Sequence, residues 1–303
     1  MPGENGKEEN KDYKEFTRQA VTEIQERMGE TVEIRLTEVV KNNNITLTGI
    51  MIVKKNSNVS PTIYLESFYE KHRRGESIKQ IAKEIVALYE KQVGPVQMDM
   101  DFFTSYEMVR NNICHKLVHY EMNKEQLKQL PHIRWNDLAV IFYYDLGESM
   151  IGKATITIRN EHMEMWGIST EELYRTAQQN MKRKRPELLI PIKDMLEEIM
   201  KKHLSEEYRV PLYVLTNKDK MYGASALLYS GQLKILAEKL QSDLLILPSS
   251  VHEVLLLEDD REQDYAFYRE MVREVNGSQV EPDEVLSENI YRYDRVKESI
   301  EEI

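Results

Sequence analysis

The most constraining feature of this chain is a hydrophobic period of two that runs out, bends and runs back within about twenty residues. Val32, Ile34 and Leu36 alternate with Glu33, Arg35 and Thr37; Ile45, Leu47, Gly49 and Met51 alternate with Thr46, Thr48 and Ile50. Side chains alternate faces along a strand, so each run has one face to bury. Asn42-Asn43-Asn44 lies between them, and asparagine tolerates the positive φ of a tight bend. Strands joined by so short a link must be antiparallel, since a parallel crossover needs about a dozen residues or more. The pattern returns at Asp137–Leu146 and Ala154–Arg159 around Gly147, and at Pro211–Leu215 and Ala224–Tyr229 around Asn217 to Asp219. Each pair leads into a helical pattern: Ile78, Ile81, Ile85, Leu88 and Tyr89 after Ser77; Leu173, Ala177 and Met181 after Ser169; and Gln232–Leu240. The expected fold class is therefore α+β, with antiparallel β-hairpins alternating with helices. Three strand–strand–helix units recur at about 31–91, 135–181 and 210–240, without recurring residue identities.

The remaining elements follow from the same periodicities. Phe16, Ala20, Val21, Ile24 and Met28 predict a helix over 12–28, and Thr62 to Leu65 reads as extended. Helices are expected over 66–74, from Phe102 to Tyr120, from Asn123 to Leu130 and from Pro191 to His203, with short strands at Leu244–Leu247 and Val254–Leu257. A length of 303 residues suggests two domains or one large one. The expected organisation is a disordered tail at 1–11, an N-terminal α+β unit at 12–93 closed by Gly94-Pro95, and a main α+β region at 94–275 with units near 135–181 and 210–257. An acidic C-terminal helix or tail is expected at 276–303.

Composition narrows the function classes. Lys and Arg number 41 against 52 Asp and Glu, a net charge of −11, which opposes generic nucleic-acid binding because that affinity comes from cations neutralising phosphates. Cys114 is the only cysteine, so no intrachain disulfide forms and a reducing compartment is expected. The polar start offers no apolar leader segment, and Leu244 to Leu257 is broken by Pro248, Ser249, Ser250, His252 and Glu253, so no membrane span is expected. A cytoplasmic location follows as the expectation. The sequons at Asn44 and Asn58 are discounted with it.

Several segments imitate chemistry. Gly147-Glu148-Ser149-Met150-Ile151-Gly152-Lys153 spells the first seven positions of a phosphate loop, but Ala154 replaces the magnesium-binding hydroxyl and an alternating strand follows where a helix is needed. Leu215 to Asp219 resembles a guanine-reading loop with its aspartate one place early, and reads as a turn. His115 and His119 stand four apart on the expected helix, weak candidates for a metal, with no third ligand at motif spacing; no metal and no cofactor are expected. Ser249, Ser250, His252 and Glu253 place two hydroxyls, an imidazole and a carboxylate between two apolar runs, with Asn217 on a neighbouring turn. They are the candidate catalytic residues. A turn whose serines bond nearby amides explains the same residues without catalysis. The run Lys182-Arg183-Lys184-Arg185 is a solvated helix end or a local phosphate contact. Seventeen tyrosines against two tryptophans suit an interface, since tyrosine buries a ring and keeps its hydroxyl wet.

Taken together, Pro61-Thr62-Ile63-Tyr64-Leu65 with Phe68-Tyr69, Pro131-His132 before Asp137-Leu138-Ala139-Val140, Pro211 to Asn217, and Leu247 to Glu253 resemble an uncharacterised bacterial family. That family is a domain of unknown function frequent in Gram-positive gut Firmicutes, often near mobile elements. The resemblance spans about 16–275 and implies a bacterial accessory role with no residue roles to carry over. The expectation is a non-enzymatic factor that binds an unknown protein partner. The alternatives are a hydrolase or transferase using Ser249, Ser250, His252 and Glu253, and a nucleic-acid-associated protein using Lys182–Arg185.

Overall fold

The computed structural model of the chain describes residues 4–55, 60–92, 101–149, 152–201, 211–229 and 231–303. They form two compact units. The first comprises residues 1–41, 45–101 and 146–155; the second comprises 42–44, 102–145 and 156–303. The expected boundary at Gly94-Pro95 and the sequon at Asn58 lie outside the described residues.

In the first unit, helix α1 (Glu4–Met28) precedes the hairpin β1 (Val32–Val40) and β2 (Thr46–Lys54). Strand β3 (Thr62–Tyr64) and helices α2 (Glu66–Arg73) and α3 (Ile78–Gln92) complete it. Residues 4–11, expected as a tail, are the first turns of α1. The hairpin is antiparallel with Val32 opposite Lys54 and Val40 opposite Thr46, and Asn43 and Asn44 take positive φ at the bend. β2 is central in the order β1-β2-β3. Its Ile50 and Ile52 meet Phe16 and Ile24 of α1 and Ile81 and Ile85 of α3 in one apolar core.

The second unit begins with α4 (Tyr106–Val109), β4 (Ile113–His119), α5 (Lys124–Leu127), β5 (His132–Trp135) and β6 (Leu138–Ser149), which pairs with β7 (Gly152–Thr157); residues 146–149 of β6 and 152–155 of β7 fall in the first unit. The helix expected from Phe102 to Tyr120 is corrected here, because its second half is β4, paired antiparallel with β6 from Ile113 opposite Tyr144 to His119 opposite Leu138. A strand buried on both faces shows no alternation, and Ile113, Cys114, Leu117 and Val118 fit a helical face equally well. β6 runs through Gly147 to Ser149, so the glycine expected to mark the bend lies within the strand.

Helices α6 (Asn160–Trp166) and α7 (Thr170–Lys184) follow, the latter capped by Ser169, whose hydroxyl accepts from the Glu172 amide. Then come β8 (Glu187–Pro191), α8 (Ile192–Met200), β9 (Leu212–Asn217), α9 (Gln232–Leu240), β10 (Asp243–Ser250), β11 (Glu253–Asp259), α10 (Tyr265–Ser278), β12 (Tyr291–Asp294) and β13 (Ser299–Glu302). Six strands make a sheet in the order β13-β12-β10-β11-β9-β8, with antiparallel pairing throughout. The fold is α+β. Two expectations fail in this sheet. Ala224–Tyr229 is no strand: Gly223–Leu228 is a 3-10 helix buried on nearly every side. The C-terminal segment is no helix either, for Tyr291–Asp294 and Ser299–Glu302 extend the sheet at one edge.

Candidate functional site

The end of β9 and the turn between β10 and β11 are bound together by one glycine. A Cβ on Gly223 would stand 2.1 Å from Thr216 Oγ1, 2.4 Å from the His252 carbonyl oxygen and 2.8 Å from the Asn217 nitrogen. Only glycine lets the 3-10 helix lie this close, and Thr216 Oγ1 donates to the His252 carbonyl at 2.8 Å. Asn217 is fully buried and serves the backbone: its Nδ2 donates to the Met221 carbonyl at 2.9 Å, and its Oδ1 accepts from the Asp219 amide at 3.0 Å. Both ends of its amide are thus spent on closing the turn.

His252 is held on both sides of its ring. Nδ1 accepts the Tyr222 amide at 3.2 Å, which leaves the neutral ring's proton on Nε2, 3.3 Å from Glu284 Oε1. The imidazole stacks on Tyr222 with centroids 5.7 Å apart, and the Lys116 ammonium sits 4.1 Å from the Tyr222 ring centre. The ring is 29% exposed. Ser250 Oγ accepts from the His252 backbone amide at 3.0 Å, the turn-closing bond of a serine at a strand junction. Ser249 points instead into a separate groove. Glu253 opens β11 opposite Ser250. The four adjacent candidates are thus sent to different places, and a nucleophile–base pair needs hydroxyl and ring within hydrogen-bond reach.

His115 and His119, expected one helical turn apart, lie on β4, where four residues span about 13 Å. No ion is shared over that distance. His115 is wholly buried, neither ring nitrogen has a hydrogen-bond partner among the described residues, and burial pushes its pKa down to about 3. His119 Nδ1 accepts the Met122 amide, and its Nε2 lies 3.8 Å from Asp137. No group of three or more His, Cys, Asp or Glu side chains suited to a metal occurs among the described residues. Burial raises the pKa of the Cys114 thiol.

The basic run closes α7 and turns partly inward. Arg185 is buried and pairs with Asp145 at 2.7 Å and Asp219 at 3.0 Å, Lys184 bonds Asn112, and Arg183 donates to Asn180 Oδ1 at 2.9 Å. Gly147 to Lys153 belongs to β6 and β7, with Met150 and Ile151 outside the described residues, and no helix opens there.

Two features escaped the sequence reading. Asp137, at the bend between β5 and β6, accepts from Ser287 Oγ at 2.6 Å, from Asn289 Nδ2 at 3.2 Å and from the Tyr291 hydroxyl. These partners lie 150 or more residues away, and no local signal announces them. The second is a groove of about 390 Å³ between α10 and the sheet. Leu212 of β9, Leu247 and Ser249 of β10, Leu255 and Leu257 of β11, and Met271 and Val275 of α10 line it. Tyr268 adds a hydroxyl already donated to Gln263 at 3.3 Å. The even spacing of the β11 leucines was the available clue: it marks one face of the strand without saying how completely that face is covered.

The model of a family of unknown function, DUF5688, matches residues 13–295. The chain belongs to that family. The match takes in both units and every candidate residue above, and the family brings no assigned activity to any of them. No curated protein and no solved structure matches the chain.

Proposed function

We propose that the protein acts by binding a protein partner, whose apolar side chains enter the groove between α10 and strands β9 to β11. One observation carries this reading: a concavity of about 390 Å³, within the range of ligand sites, is lined almost wholly by aliphatic and thioether side chains. A polar metabolite finds no set of convergent donors and acceptors there. An anionic lipid finds no cation in the lining to hold its headgroup. Neutral apolar side chains suit it best.

The test uses the full chain and a fluorescein-labelled helical peptide of Leu and Gln, about four turns long. Anisotropy should report saturable binding, and Val275→Arg should weaken it at least about tenfold by placing a charge in the groove. Unchanged circular dichroism would show that the variant folds. No binding by the parent chain, or equal binding by the variant, overturns the reading.

The alternative of a hydrolase or transferase draws support from the His252–Glu284 pair and the partial exposure of the ring. Hydrolysis of p-nitrophenyl acetate that disappears in both His252→Gln and Ser250→Ala would establish it in place of the first reading.

A further inference from the structure

We infer that the segment seated in the groove is a cationic amphipathic helix; this rests on the binding role proposed above and names the chemistry of the partner. The first argument concerns the backbone. The floor is built from β10, β11 and β9, and β11 pairs with both of the others while β9 pairs with β8 on its far side. The main-chain groups of these strands are spent on one another. An extended peptide laid on that floor would find no ladder to join, whereas a helix satisfies its own backbone and presents only side chains.

The second argument concerns charge. Along β11, Glu253, Leu255 and Leu257 share one face by alternation, so a carboxylate ends the row of leucines that floors the groove. On α10, Glu270 and Glu274 are one turn apart and flank Met271 and Val275. Glu270 is offset by Arg273 at 3.6 Å, but Glu253 and Glu274 enter no ion pair among the described residues. Phe267, 60% exposed, extends the apolar ridge of α10 one turn beyond Met271. An apolar trough with uncompensated carboxylates at its rim, on a chain of net charge −11, complements a helix with one apolar face and Lys or Arg beside it.

The experiment compares three labelled peptides with the same leucine face, whose remaining positions are Lys, Gln or Glu, by anisotropy against the full chain. The Lys peptide should bind about five- to tenfold more tightly than the Gln peptide at about 50 mM salt, and the advantage should shrink near 300 mM. The Glu peptide should bind weakest. The double variant Glu253→Gln, Glu274→Gln should remove the Lys advantage and leave the Gln peptide unchanged. Gln and Lys peptides of equal affinity would overturn this inference and leave the groove reading standing; failure of all three would bring down that reading as well. A Lys advantage that persists in the double variant would mark general attraction to an acidic surface and would also overturn the inference.

Discussion

The two units solve the same packing problem to different degrees. In the first, helices α1 and α3 cover the sheet so fully that Ile24, Ile50, Ile81 and Ile85 have no exposed surface, and the single buried polar side chain among its described residues is Thr17. Its hydroxyl donates to the Tyr13 carbonyl one turn back. The second unit buries His115, Asn180, Arg185, Asn217, Ser287 and Asp294, and its six-stranded sheet leaves Leu255 and Leu257 partly exposed. An apolar face that is completely covered yields stability. One covered in part leaves apolar surface in contact with water. The groove proposed for binding belongs to the second unit, whereas the sheet of the first is closed over by its helices.

Three substitutions sharpen that contrast. Ile81→Ala in the closed core should cost about 2–5 kcal/mol, because the wall of α1, α3 and β2 collapses little around the cavity; chemical denaturation measures it, and a cost below about 1 kcal/mol would show that this core is loosely packed.

His115→Leu should act in the opposite direction, stabilising by about 1–3 kcal/mol at neutral pH, since it replaces an imidazole buried without partners by an apolar side chain of similar size. The substitution also has a pH signature. The folded state holds His115 neutral down to about pH 3, while the unfolded chain takes up its proton near the ordinary histidine value of about 6.5. The parent therefore loses stability as pH falls from about 6.5 toward 3, with a slope approaching one proton, and its difference from His115→Leu should widen over that interval. A difference constant with pH would mean that the ring finds a proton acceptor when folded.

Met271→Ala, on the groove wall, should change stability least, by about 1 kcal/mol, while weakening the Leu/Gln peptide. A loss as large as that of Ile81→Ala would turn the groove into ordinary core.

Much of the fold was legible because local patterns carried it. The Asn42–Asn44 bend, the Ser169 cap and the spacing of Ile78, Ile81 and Ile85 each need only neighbouring residues to be read. The phosphate-loop imitation was resolved the same way, since Ala154 and Thr155 continue a strand. β4 was misread because burial on both faces erased its period, and β12 and β13 were missed because each has only four residues and β12 is held by β10, far away in the chain. The turn expected at 249–253 is confined to Val251 and His252, with Ser249 and Ser250 ending β10 and Glu253 opening β11. Their neighbours in sequence did not become neighbours in function: Ser249 reaches the groove, Ser250 the backbone and His252 a carboxylate 32 residues on.

What the sequence by itself determined is the class of the fold, because short links force strands to return antiparallel; the side of β2 that is hidden, Ile50 and Ile52, is the opposite of the Leu47–Met51 row that apolar spacing picked out. The tertiary structure alone decided what hides it. Whether α10 covers all of the leucine face or leaves a trough, and whether Asp137 meets Ser287 and Tyr291, depends on contacts between segments far apart in the chain. Periodicity records the need for burial; only packing settles how far that need is met.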